Sequence, residues 1–347
     1  MKYKNNIILN SATITKAIKN LNKLRYKTLV VIDKKKKLYG TLTDGDIRRA
    51  ILKGHHLQSK IKDITFKKPL KKIIDKYFPK IIKKENVNVI PCVDRFNKVK
   101  SIEIYKNTKE KDKSLDKLEV VLMAGGFGKR LMPLTKKIPK PLLKINNKSL
   151  LELAMENFNK YGINKFNISI FYKSRFIKNY FKRKKVKKNR ISFLEEKRPL
   201  GTAGCLSMLD LNKTKDNILV FNGDIITDLN IGNLLKFHNE TSSDITVCAK
   251  EIFNTSPFGQ ILFKGSKIKK IIEKAKERSF VNAGIYLIKK KMIEKMHIKK
   301  IDMTSFIAKK ISEGKNINIY PIYEYWVDIG RKETFKNILK KNRLKIL

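Results

Sequence analysis

The residues best placed to do chemistry lie between positions 121 and 143. There Gly125-Gly126-Phe127-Gly128 is followed at once by Lys129 and Arg130 and, ten residues on, by Lys140. A glycine-rich turn frees the backbone to present N–H groups to an anion, and three cations beside it suit a polyphosphate. Two familiar phosphate loops do not fit. A Walker A loop needs glycine where Met123 stands and Ser/Thr where Arg130 stands; the dinucleotide fingerprint needs a third glycine where Leu131 stands. Two carboxylates lie far downstream. Asp224 follows the apolar run Ile218-Leu219-Val220-Phe221, and Asp328 sits in Trp326-Val327-Asp328-Ile329-Gly330. An acidic residue at a strand end suits Mg2+, which takes one or two carboxylates and keeps water and phosphate oxygens for the rest.

The elements that must position these groups read as α/β. Val120, Val121 and Leu122 form a buried parallel strand before the glycines, and residues 149–161 form an amphipathic helix capped by Ser149. Strand-like runs at 166–171, 191–194, 218–221 and 245–249 alternate with helical ones. That alternation predicts a doubly wound, mostly parallel sheet with ligands at the carboxyl ends of its strands. Residues 332–343 read as a closing helix with Phe335 and Leu339 inward.

Leu122 to Thr135, together with Pro139-Lys140-Pro141, resembles the signature of the sugar-1-phosphate nucleotidylyltransferases, written L-x-A-G-G-x-G-x-R-L-x-P-L-T followed by P-K-P. The resemblance implies a Rossmann-like nucleotidyltransferase fold and transfer of a nucleotidyl group from a nucleoside triphosphate to a sugar 1-phosphate, releasing pyrophosphate. It implies catalytic roles for Arg130, Lys140 and Asp224, and one Mg2+ site at Asp224 and Asp328. It further implies nucleotide contacts at Ala124, Gly125, Gly126, Gly128, Lys129, Leu200 and Gly201, the last two in a Pro-Leu-Gly base-recognition loop. Sugar-phosphate contacts follow at Gly259, Glu273, Lys274 and Asn282. Ala275 departs from the proline that often follows the Glu-Lys pair.

Ahead of the signature, two strand–turn–strand halves recur 61 residues apart, around Thr28 to Thr43 and Val87 to Ile104. Helical periodicity at Ile14, Ala17, Ile18 and Leu21 precedes the first, and a helix capped by Asp44 follows it. Gly40 to Ile47 resembles a CBS domain of the cystathionine-β-synthase type, pairs of which bind adenine nucleotides. Asp46 would then hold ribose hydroxyls, and Thr43 with the nearby helix start would receive phosphate oxygens. The second half departs: Ser101 replaces the glycine, the Thr-x-x-Asp element is missing, and Pro79 interrupts a helix. A docking module without ligand is the competing reading. The expected organisation is a CBS pair over residues 1–106, a charged linker over 107–117 and a catalytic domain over 118–347. A CBS-like front end joined to this signature resembles guanylyltransferases of hexose or amino-hexose 1-phosphates, glucosamine 1-phosphate included, among them those of legionaminic-acid-type sugar biosynthesis. GTP is thus the expected donor.

Bulk properties set the bounds. The chain of 347 residues carries a formal charge of +49, with 68 lysines against 12 arginines. Phosphate and base recognition favours arginine's planar fork, and the lysines spread over both halves, so a nucleic-acid partner is disfavoured even at the basic run 182–188. Cys92, Cys205 and Cys248 lack paired spacing, and the four histidines lack ligand spacing. Neither a membrane span nor a secretion signal is read in the sequence, so a cytoplasmic enzyme is expected. Oligomeric state is not legible from it, although paired domains of the front-end type often associate into homo-oligomers. The rival from another class is a non-catalytic nucleotide-sugar-binding regulatory protein of the same fold.

Overall fold

A computed structural model describes residues 4–24, 27–74, 89–104, 115–184 and 189–341. The chain divides into two compact units, Met1–Lys111 and Asp112–Leu347. The division falls inside the expected linker, most of which, like Pro79 and residues 185–188, lies outside the described residues.

The front unit contains β1 (Ile7–Leu9), α1 (Ile14–Asn22), β2 (Thr28–Ile32), β3 (Leu38–Thr43), α2 (Asp44–Leu52), β4 (Lys72–Ile73), β5 (Val89–Val93) and β6 (Val99–Ile104). β1 runs parallel to β2, which pairs antiparallel with β3; β4, β5 and β6 repeat that pattern. Each hairpin breaks register at an equivalent place, Val31/Ile32 in one and Cys92/Val93 in the other. The hairpins share an apolar cluster of Val30, Val89 and Ile102. Gly40 has a steric reason: a Cβ there would lie 2.2 Å from the Phe66 carbonyl oxygen, in the bridge that Phe66 makes with Thr41. The α2 cap corrects the sequence expectation. Thr43, with extended φ −110° and ψ 169°, is the N-cap, and Asp46 closes a capping box with it. Asp44 is already helical and pairs instead with the buried Arg48 at 2.8 Å.

The second unit contains β7 (Leu118–Met123), α3 (Leu134–Lys137), β8 (Lys144–Ile145), β9 (Lys148–Ser149), α4 (Leu150–Asn159), β10 (Lys165–Ile170), α5 (Ser174–Lys184), β11 (Arg190–Glu195), α6 (Gly201–Gly204) and β12 (Asn217–Asn222). It continues with β13 (Ile225–Thr227), α7 (Ile231–Glu240), β14 (Ile245–Thr255), β15 (Gln260–Lys264), β16 (Lys267–Ile272), β17 (Lys276–Lys289), α8 (Met303–Ser312), β18 (Ile317–Ile322), β19 (Trp326–Asp328) and α9 (Lys332–Lys341). Seven strands form one sheet in the order β11-β10-β7-β12-β17-β14-β18. Only β17 runs against its neighbours; the other pairings are parallel. Alternate residues of β7 feed opposite faces, Val120 and Leu122 one core and Val121 the other. Both faces are therefore covered, as a parallel sheet requires. Ser149 and Glu152 form a capping box at the start of α4. Leu115, just before β7, is buried in this unit's core.

The closing helix departs from expectation on one side. Phe335 is buried, with Ile338 packed against the same cluster, whereas Leu339 is 46% exposed. The inward stripe steps by three residues here and not by four, so Leu339 turns to solvent.

Candidate functional site

The carboxyl ends of the central strands open into a cleft of about 400 Å³. Its first wall is the loop after β7, which supplies Ala124, Gly125, Gly126, Phe127, Gly128, Lys129 and Arg130. Gly128 takes φ +64°, and a Cβ would lie 2.9 Å from Thr135 Cγ2. The buried Thr135 hydroxyl donates to the Gly128 carbonyl at 2.9 Å, fixing the turn. Gly126 meets nothing within 4 Å of a built Cβ, so its role is open space beside the loop and not tight packing.

The second wall brings the predicted cation and both carboxylates together. Gly223 N–H donates to the Met123 carbonyl at 2.9 Å, drawing the loop after β12 onto the end of β7. A Cβ on Gly223 would lie 2.7 Å from that oxygen. The β13–β19 pairing sets Ile225 opposite Asp328, and Ile329 N–H donates to the Asp224 carbonyl at 2.9 Å. The two aspartates, about a hundred residues apart in sequence, thus become neighbours. Lys140 Nζ donates to Asp224 Oδ2 in a largely buried ion pair. Asp328 is exposed and does not itself line the cleft, yet burial of its carboxyl and then the charge of Asp224 raise its pKa above the usual carboxylate range. Lys140 and Arg130 act against that shift. Among the described residues no three or more His, Cys, Asp or Glu side chains form a metal cage. The Asp224–Asp328 pair is the donor set that Mg2+ uses when phosphate oxygens and water complete its shell, and two like charges held together fit a cation between them.

The third wall is the segment after β11. Gly201, Thr202 and Pro199 line the cleft, and Gly201 adopts φ +76°. Leu200 is buried; its N–H donates to Glu196 Oε2 at 2.8 Å, and its carbonyl accepts from Ile301 N–H at 2.9 Å. Its backbone polar groups are therefore committed to the loop itself, which leaves the exposed edge of Gly201 and Thr202 to face the cleft.

Glu196 was not singled out by residue type. It lines the cleft, is buried, and accepts from both the Ser169 hydroxyl and the Leu200 N–H. A Cβ on Gly125 would lie 3.3 Å from its Oε1, so this carboxylate stands between the glycine loop and the base-recognition loop. The signal available in the sequence was the strand's period of two, which points Glu195 outward to Lys178 and Glu196 inward. Asn222 was missed as well; it lines the cleft at the end of β12 and lies against Gly284, where a Cβ would come within 2.4 Å of its Nδ2.

Gly259, Glu273, Lys274 and Asn282 do not line this cleft. Gly259 and Glu273 meet each other, with a built Cβ 2.7 Å from Glu273 Oε1. Lys274 sits in a turn at φ +51° between β16 and β17. Asn282 Oδ1 accepts from Gly284 N–H at 2.9 Å, two residues from the glycine that abuts Asn222. In the front unit, Thr43 and Asp46 are brought together, but in the capping box: Asp46 accepts from Thr43 N–H at 2.8 Å and from Arg49 at 2.6 Å.

The chain is 27% identical over 225 residues to the mannose-1-phosphate guanylyltransferase catalytic subunit beta of Danio rerio, covering 63% of this chain and 62% of that protein. It is 28% identical over 222 residues to a mannose-1-phosphate guanyltransferase of Yarrowia lipolytica, covering 62% and 61%. The chain thus spans less than two thirds of the length of these curated relatives. In fold it is similar to the crystal structure of HddC from Yersinia pseudotuberculosis complexed with GMP-PN, at TM-score 0.52 and 24% identity, over 65% of this chain and 99% of that one. A UDP-glucose pyrophosphorylase from Acinetobacter baumannii aligns at TM-score 0.51 and 16% identity, over 65% and 93%. The pattern defining the Nucleotidyl transferase family fits residues 119–343, and the chain belongs to that family.

Proposed function

We propose that the protein is a sugar-1-phosphate guanylyltransferase: it joins a hexose 1-phosphate to the α-phosphorus of GTP and releases pyrophosphate. The observation that carries this reading is the meeting, in one cleft, of the glycine loop, Arg130, Lys140 and Asp224, with Asp328 beside Asp224. The nucleophile is a phosphate oxygen that already carries charge, so no general base is required. What the site must do is bring anions together and stabilise charge in an in-line displacement. Arg130 would cover the triphosphate and the departing pyrophosphate, and Lys140, now paired with Asp224, would meet the α-phosphate. Asp224 and Asp328 would hold Mg2+, which supplies charge neutralisation for both reactants. Glu196 and the Gly201 turn would hold the nucleobase side of the cleft, whereas the sugar-phosphate contacts expected at Glu273, Lys274 and Asn282 would have to come from outside its lining.

Mannose 1-phosphate heads the acceptor panel because the relatives from Danio rerio and Yarrowia lipolytica carry it in their names. Glucosamine 1-phosphate is the competing acceptor, on the resemblance to legionaminic-type guanylyltransferases. Pyrophosphate release measured over four nucleoside triphosphates and a panel of sugar 1-phosphates identifies both substrates. In that assay Arg130→Ala and Asp224→Ala should each cut turnover by about 10²–10³-fold, the range for loss of one preorganised charge. Near-wild-type turnover in both variants would refute the assignment. The front unit, read as a CBS pair, would bind an adenine nucleotide only if Asp46 exchanges its capping bonds for ribose hydroxyls. Calorimetric titration with AMP and ATP tests that step.

A further inference from the structure

A second cavity, of about 830 Å³, lies on the far side of the nucleobase loop, walled by the segment between β17 and α8 and by α8 itself. Its floor is apolar, made by the buried side chains of Met292 and Phe306 with Met296 beside them. Its rim is basic: Lys295, Lys299 and Lys300 line it and are exposed. Two acidic groups, Asp302 and Glu313, also line the cavity. Glu313 is paired with Lys310 at 2.7 Å and Lys309 at 3.8 Å, and Asp302 faces Gly201, where a built Cβ would come within 2.6 Å of its Oδ1. Lys310 sets its Nζ over the Phe306 ring, 5.8 Å from the centroid.

The wall of this cavity is the same piece of chain that braces the nucleobase loop. Ile301 carbonyl accepts from Ala203 N–H at 2.9 Å and Gly204 N–H at 3.1 Å, and Ile301 N–H donates to the Leu200 carbonyl at 2.9 Å. Met303 N–H donates to Thr202 Oγ1 at 2.7 Å. Four hydrogen bonds therefore join Ile301, on the wall of one cavity, and the nearby Met303 to the segment 200–204, whose Gly201 and Thr202 line the other. A ligand that shifts this wall must shift the loop, and coupling of that kind is reciprocal.

We propose that this cavity is a second ligand site, separate from the catalytic cleft, for an organic phosphate: a ring or other apolar body on the Met292–Phe306 floor and a phosphate among Lys295, Lys299 and Lys300. Its occupation adjusts the nucleobase loop through Ile301 and thereby the affinity for the nucleoside triphosphate. The binding half stands independently of the proposed function; the coupling half rests on it.

Phenyl phosphate is the probe, titrated calorimetrically into the full chain, with inorganic phosphate and phenol as the two fragments. Phenyl phosphate should bind saturably below about 10 mM and more tightly than either fragment, as joined fragments sharing one site do. Binding should be unchanged in Arg130→Ala, whose lesion is in the catalytic cleft, and weakened about tenfold or more in Lys299→Glu/Lys300→Glu, which replaces two charge-assisted contacts by repulsion. Absence of saturable binding, loss of binding in Arg130→Ala, or equal binding in the double variant would each overturn the site. For the coupling half, phenyl phosphate should change the KM for GTP about fivefold in the wild type and leave it unchanged in the double variant, a coupling of about 1 kcal/mol. Equal KM values with and without the probe would overturn the coupling while leaving the binding result in place.

Discussion

Replacing Glu196 by glutamine removes one charge and almost no volume, and it isolates what a single buried carboxylate does for two loops. In the native site Glu196 accepts from the Ser169 hydroxyl and, at 2.8 Å, from the Leu200 N–H, with both partners buried. Hydrogen bonds to a charged group contribute about 1.5–3 kcal/mol each, against about 0.5–1.5 for neutral ones. Glutamine keeps one carbonyl oxygen for Leu200, and its amide can donate to a rotated Ser169 hydroxyl. Glu196→Gln therefore exchanges two charge-assisted bonds for two neutral ones, with part of the difference returned because a neutral side chain is less costly to bury. A net loss of about 1–2 kcal/mol follows, or roughly 2–8 °C in Tm for a unit of this size. Glu196→Ala leaves both partners without an acceptor and should lose about 2–5 kcal/mol. Because the loop that Glu196 holds contains Gly201 and Thr202, the KM for the nucleoside triphosphate should rise in Glu196→Gln more than kcat falls. Thermal unfolding and steady-state kinetics on the same preparation read both effects. A Glu196→Gln protein with a Tm within about 1 °C of wild type and an unchanged nucleotide KM would refute the positioning role.

Further expectations concern two other positions. Gly201→Ala places a Cβ 2.6 Å from the Ile301 carbonyl oxygen at φ +76°; the left-handed backbone alone costs an L residue about 1–2 kcal/mol and the clash adds to it. Nucleotide affinity and Tm should both fall, and retention of both would contradict the tight loop contact. His238 is fully buried, with Nδ1 2.7 Å from Thr246 Oγ1, and burial followed by the charge of Lys289 pushes its pKa down to about 4. Its unfolded value is near 6.5, so the unfolded chain binds more protons between the two values. The stabilisation is present above pH about 6.5 and lost as pH falls toward 4, about 3 kcal/mol in all. Urea midpoints for wild type and His238→Gln should converge on acidification; parallel pH profiles would show that His238 contributes nothing to acid sensitivity.

What could be read from sequence, and what could not, divides along the range of the interactions. The strand before Gly125, the Ser149 cap and the parallel sheet were legible because period and capping chemistry act within a few residues. The cap of α2 was misplaced by one position because Thr43, Asp44 and Asp46 are all good capping residues, and only backbone dihedrals distinguish them. Leu339 was misassigned because helical period fixes a face only to within one residue step. The meeting of Asp224 with Asp328 was expected from a family signature; no local rule pairs β13 with β19 across about a hundred residues. Glu196 is hidden for a related reason: its bond to Leu200 is local, but its partner Ser169 reaches it only through the pairing of β10 with β11. The second cavity lies wholly beyond local reading, because its wall is joined to the nucleobase loop by bonds that span about a hundred residues.

In the proposed reaction an oxygen of the sugar phosphate attacks the α-phosphorus of GTP in the cleft formed by Arg130, Lys140 and Asp224. A hexose 1-phosphate labelled with 18O in its non-bridging phosphate oxygens, incubated with GTP, Mg2+ and the protein and followed by 31P NMR, tests that step. The expected product is a nucleotide sugar with 18O in the bridge between its two phosphorus atoms, released with unlabelled pyrophosphate. Pyrophosphate carrying the label, GDP with inorganic phosphate in place of a nucleotide sugar, or an equal product yield from Asp224→Ala would contradict it.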